Sequence, residues 1–169
     1  MHSEPENMRK KIIETVNSLE TKVDSVFLGY ATCQSLAGIA DELKVPVSML
    51  SGSDCIEALL GTDDYDREKK ICTGTWFSSP GWATEGRGGL VKELHLDSVE
   101  GVDPSFFMDI LFASYERCLF IDPGIGNTEE FRSKSEIFAS ELGLRHDCRT
   151  CGTDGILKAF LKAKELANV

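Results

Sequence analysis

The stretch Val23–Gly61 limits what this chain can fold into more than any other. It reads as strand, short loop, helix, then strand, short loop, helix again. The first strand, Val23–Tyr30, sets Val26, Phe27 and Leu28 side by side, which suits burial on both faces. The second opens at Pro46 and runs through Val47, Met49 and Leu50. Strands alternating with short helices imply parallel pairing and right-handed crossovers. Each loop also delivers a cysteine to the start of a helix, Cys33 in the first case and Cys55 in the second.

The remaining segments extend the alternation. Met8, Ile12, Ile13, Val16 and Leu19 place one apolar stripe on a helix over Pro5–Leu19. Ser35–Leu43 is read as a helix, and Asp54–Leu60 as another closed by Gly61. Thr62–Ile71 is a charged helix. Thr73–Trp82, with Gly74, Pro80 and Gly81 among its aromatics, reads as a loop, and Gly86–Gly89 resists helix formation whereas Leu90–Leu96 permits it. Pro104 opens a helix on which Phe106, Phe107, Ile110, Leu111 and Tyr115 recur at helical spacing. Cys118–Ile121 is a buried strand, Asp122–Asn127 a turn, and Thr128–Leu142 a helix closed by Gly143. A short strand over Leu144–Asp147 and an amphipathic helix over Asp154–Ala167 complete the pattern. The expected architecture is one α/β domain over residues 1–169, three-layered and doubly wound, with a mostly parallel, Rossmann-like sheet.

Composition narrows the function classes. A formal charge of -10 repels nucleic acid and anionic membrane surfaces. No apolar run approaches the length of a membrane span. Met1–Lys11 is polar and carries no signal-peptide core, so the chain reads as cytoplasmic. In that compartment six cysteines are thiols, ligands or redox groups rather than structural disulfides. Cys118, inside an apolar run, reads as a small buried hydrophobe.

In open parallel sheets ligands bind beyond the carboxyl ends of the strands. That rule sends Ala31–Cys33, Ser51–Cys55, Asp122–Asn127 and Cys148–Cys151 toward one edge. Asp54 is an N-cap, Glu57 completes a capping-box arrangement, and Cys55 falls in the first turn. Backbone donors there favour a thiolate, while Asp54 and Glu57 oppose it with negative charge. Cys148-Arg149-Thr150-Cys151 has the spacing of metal knuckles and dithiol redox sites. Joined to Cys33 and Cys55, it would complete a four-thiolate site for zinc or an iron–sulfur cluster. Ser51, Ser53 and Asp54 outline an anion or cofactor cradle. Trp76 and Trp82 are either a wall for a flat ligand or core beside a long loop. The glycine turn Asp122–Asn127 lacks the third glycine of a dinucleotide loop, and Glu129 and Glu130 would repel phosphate there. His146, near the Cys148 pair, is a candidate nitrogen ligand.

Four strings carry a resemblance: Gly29-Tyr30-x-x-Cys33, Asp54-Cys55-Ile56-x-x-Leu59-Leu60-Gly61, Gly74-Thr75-Trp76-Phe77-x-x-Pro80-Gly81-Trp82 and Phe120-Ile121-Asp122. In order and wording they resemble the uncharacterised "domain of unknown function 1638" family of anaerobic archaea and bacteria, over most of Met1–Asp122, fading after Gly143. The resemblance implies an accessory role beside corrinoid-dependent methyltransferases, with a corrinoid protein or a methyltransferase as partner and corrinoid as a cofactor by association. The family commonly has histidine where Ser53 stands. Its members also tend to begin with a further strand, bearing its own cysteine, before a helix like Pro5–Leu19.

Two functional readings follow, with a third beside them. One is a metal- or cofactor-binding accessory protein centred on Cys33 and Cys55. Another is a thiol enzyme acting on a small substrate, with Cys55 as nucleophile and Asp54 or Glu57 modulating it. The third is an interaction module without bound cofactor. The residues assign no catalytic set.

Overall fold

The computed structural model describes residues 5–98 and 101–168. All of its strand pairing is parallel, and helices flank both sheets, so the chain is α/β and Rossmann-like as its alternation requires. It divides into two compact units, Met1–Thr62 with Gly152–Val169, and Asp63–Cys151. None of the described helices is long and apolar enough to cross a membrane.

In the first unit, α1 (Pro5–Asn17) precedes β1 (Val26–Ala31), and β2 (Val47–Leu50) leads into α2 (Cys55–Leu60). Helix α7 (Asp154–Leu166) returns to pack on both strands. Strand β1 lies parallel to β2, with Val26 opposite Val47 and, past an irregularity, Ala31 opposite Leu50. Alternation along β2 feeds two small cores. Leu50 joins Ala31, Ala58 and Ala159, while Met49 packs against Met8, Leu36 and Ile39.

The helix expected over Ser35–Leu43 is replaced by two 3-10 turns, Gln34–Leu36 and Ile39–Glu42. Between them Gly38 takes φ 70°. A left-handed residue cannot continue an α-helix, and glycine adopts that geometry without a Cβ penalty.

The second unit holds α3 (Thr62–Ile71) from its second residue, β3 (Thr75–Ser78), α4 (Pro80–Glu93), α5 (Pro104–Phe112), β4 (Arg117–Asp122), α6 (Thr128–Glu141) and β5 (Arg145–Thr150). The strand order is β3-β4-β5. The stretch Thr73–Trp82, expected to be a loop, contains a strand and a helix start. Ser79 caps α4 by accepting from the Trp82 N–H, and Pro80 occupies the first turn, where its missing donor costs nothing. The interruption expected over Gly86–Gly89 falls on Gly86 alone, at φ 60° and ψ −160°, and the helix resumes after it.

Central strand β4 is buried from Arg117 to Ile121. Its one charged buried member explains how α3 is fastened to the sheet. Arg117, 3% exposed, lies 2.9 Å from Glu68, itself 6% exposed. It also donates to the Thr75 hydroxyl and the Glu68 carbonyl, both at 3.0 Å. Arg149 binds the second oxygen of Glu68 and reaches Asp64 at 2.6 Å. A buried carboxylate is tolerated only when its lone pairs are met in this way.

Candidate functional site

Two parallel neighbours bring Cys33 and Cys55 to the same end of their sheet. Cys33 lies two residues past β1 and caps the first 3-10 turn, its carbonyl accepting from Leu36 N–H at 2.9 Å. Its side chain packs beside the Met8, Leu36 and Ile39 cluster. Cys55 is the first residue of α2. The Asp54 carboxylate accepts from Ile56 N–H at 2.9 Å and Glu57 N–H at 2.8 Å, the N-cap that the sequence predicts. Glu57 folds back to accept from the backbone and hydroxyl of Ser53, at 2.7 and 2.6 Å, and from the Thr62 hydroxyl at 2.7 Å. Ser53 and Asp54 therefore both take part in the cap.

The electrostatics at this rim run against easy thiolate formation. Desolvation is the leading cause that pushes the Cys55 thiol above its ordinary value, even though the residue as a whole is exposed. Its own N–H and that of Ile56 pull the other way, while the charges of Asp54 and Cys33 push it further up. Helix-start donors are thus outweighed by burial and acidic company.

Cys148 and Cys151 belong to the second unit, and the strand that carries them extends further than the sequence suggests. Cys148 lies inside β5, opposite Phe120. Cys151 continues the ladder, its N–H donating to the Asp122 carbonyl at 2.8 Å. Cys148 is therefore within the strand, and Cys151 follows its last residue, Thr150. Burial raises the Cys148 thiol first, with Arg132 lowering and Asp122 raising it; burial and then Asp122 raise Cys151, opposed by its own N–H. Among the described residues no group of three or more His, Cys, Asp or Glu side chains is placed to hold a metal ion.

His146 is engaged elsewhere. Its Nε2 is hydrogen-bonded to the Ser135 hydroxyl at 3.2 Å, and that hydroxyl meets Cys118 Sγ at 3.7 Å. Desolvation holds the imidazole below its ordinary pKa, Glu136 opposing and Arg132 assisting, with Asp147 opposing more weakly. Burial drives Cys118 up to about 11. This chain of thiol, hydroxyl and imidazole needs the β4–β5 pairing of Cys118 with His146, and no local sequence signal announces it.

Trp76 and Trp82 form core rather than a ligand wall. Trp76 meets Trp82, Phe112, Tyr115 and Phe138 at ring separations of 5.6, 5.3, 6.2 and 6.0 Å. Its indole N–H is buried without a partner among the described residues. The Asp122–Asn127 segment is a plain turn, as its glycine spacing implies, with Gly124 N–H bonded to Asp122 and Asn127 capping α6.

Fold and rim together define a Rossmann-like α/β protein with a thiol pair beyond two adjacent parallel strands. The family model described as "Protein of unknown function (DUF1638)" matches residues 1–161, past the point where the sequence resemblance fades, and the chain belongs to that family. No curated protein and no solved structure matches it.

Proposed function

We propose that this protein is a metal- or cofactor-binding accessory protein whose centre is the pair Cys33 and Cys55. The supporting observation is the placement of both thiols beyond the same end of the parallel strands β1 and β2, each at the start of a helical turn. A thiol raised above its ordinary value is protonated at neutral pH and makes a poor resting nucleophile, which weighs against the thiol-enzyme reading. A thiophilic cation changes the balance, because it displaces both protons and cancels the repulsion between the sulfurs. Zinc is the ion of choice on donor chemistry. Two protein sulfurs leave coordination positions open, which suits a carrier that hands its metal or group to a partner. An iron–sulfur cluster asks for more cysteines than this pair supplies. Cys148 and Cys151 are left out of the centre because they belong to the second unit, whereas Cys33 and Cys55 belong to the first. The partner class, a corrinoid protein or its methyltransferase, rests on family association and is tested by copurification from anaerobic lysate.

Metal analysis of protein prepared without oxygen tests the centre. One equivalent of zinc or another thiophilic metal per chain is expected in the native protein and in a Cys148→Ser, Cys151→Ser variant. Cys33→Ser and Cys55→Ser should each lose it. Native protein that stays metal-free after incubation with zinc, with all six thiols titrating freely, would falsify the reading.

A further inference from the structure

Strand β2 is flanked by two cavities of about 330 and 290 Å³ that share Met49, Ser51 and Lys162. Both lie wholly within the first unit. Their charged lining consists of two lysines and one glutamate. Lys158 and Lys162 stand one turn apart on α7, and neither has a carboxylate within ion-pair distance among the described residues. Hydroxyls come from Thr32, Ser48, Ser51 and Thr62. Glu57 is the one carboxylate on the lining, and it is occupied by the three donors of the α2 cap.

Nothing in folding asks for this arrangement. Like charges at i,i+4 on a helix repel, and a chain of net charge -10 has acidic side chains in plenty to pair them. Ser48 adds an independent sign. It is 2% exposed, its hydroxyl has no hydrogen-bond partner among the described residues, and it belongs to the lining of the smaller cavity. A buried hydroxyl of this kind is completed by an ordered water or by a bound group. The groove also reaches the carboxyl end of β2, where open α/β sheets take their ligands.

We infer that this groove binds the anionic group of a small molecule, a phosphate or a polycarboxylate, with Lys158 and Lys162 as its counter-charges and Ser51 as a hydroxyl donor. The lysines supply point charges and the hydroxyls directional bonds, the combination that oxyanions select. The inference stands on these residues and not on the thiol pair.

Calorimetric titration with inorganic pyrophosphate, and separately with citrate, tests it and distinguishes the two sources. Saturable binding of at least one is expected in the native protein. A Lys158→Gln, Lys162→Gln variant should bind about tenfold more weakly or worse, while Lys164→Gln on the same helix should bind normally. A Cys33→Ser, Cys55→Ser variant should also bind normally, which keeps this result separate from the fate of the metal centre. Absence of binding to both probes, or affinity unchanged in the Lys158, Lys162 variant, overturns the inference. So does a loss caused by the cysteine changes alone.

Discussion

Asp54 performs two opposed tasks at the rim. Its carboxylate satisfies two orphan donors of α2, and the same charge helps keep the Cys55 thiol protonated. The tasks separate because asparagine caps a helix about as well as aspartate but carries no charge. In Asp54→Asn the pH midpoint for alkylation of Cys55 should fall below that of the native protein, with folding stability nearly unchanged. Asp54→Ala should instead cost about 1 kcal/mol in a urea titration, through the lost cap. A midpoint that does not move in Asp54→Asn removes Asp54 from the account of this thiol. His146 gives a second reading at the same scale. Its imidazole is held below the ordinary 6.5 in the folded chain, chiefly by desolvation, so the unfolded chain takes up the proton first as pH falls. The stability linked to the neutral ring is therefore present above the ordinary value and is lost on acidification from there down through the folded value. Urea midpoints at about pH 7.5 and about pH 5.5 should differ less in His146→Gln than in the native protein.

At the level of elements, the energetically exposed joint is the one between α3 and its sheet. Glu68 is shared by Arg117 and Arg149, and Arg117 is nearly inaccessible to solvent. Glu68→Gln leaves that guanidinium buried with much of its compensation gone, a defect of about 3–5 kcal/mol. Circular dichroism in urea should register the loss, and replacing Glu141, an exposed glutamate on α6 outside the network, by glutamine should leave the midpoint in place. The helix Thr62–Ile71 was legible in the sequence because its composition and charges are local properties. The network was not, because Glu68, Arg117 and Arg149 meet only after β4 has paired with β5. The same distinction explains the misread stretch around Trp76. Gly74, Pro80 and Gly81 carry the signature of a loop, and only the packing of Trp76 against Phe112, Tyr115 and Phe138 shows why a strand forms between them. Conversely, Ser35–Leu43 has helical composition and is interrupted by the single left-handed turn at Gly38.

For the whole molecule, alternation of strand and helix was enough to give the α/β class and its parallel pairing, since both follow from segment length and from the crossovers that short connections allow. It was also enough to bring Cys33 and Cys55 to one end of adjacent strands. Around Cys148 and Cys151 the sequence suggested a strand ending at Asp147, whereas β5 runs on to Thr150, so Cys148 lies inside it and Cys151 just past its end. Charge is the remaining global property, and it sets a sign that contacts alone do not. Twenty-eight acidic residues face eighteen basic ones, and several surface pairs, such as Lys10 with Glu14 and Lys44 with Glu20, are half exposed or more. Such pairs each contribute little, whereas net self-repulsion acts over the whole surface and is screened within about 8 Å at physiological ionic strength. The Glu68 network is buried and largely beyond the reach of salt. Raising sodium chloride from about 10 mM to about 150 mM at neutral pH should therefore raise the melting temperature. A fall over that range would mean that attractive surface pairs outweigh repulsion, and that the acidic excess is distributed so that it does not oppose folding.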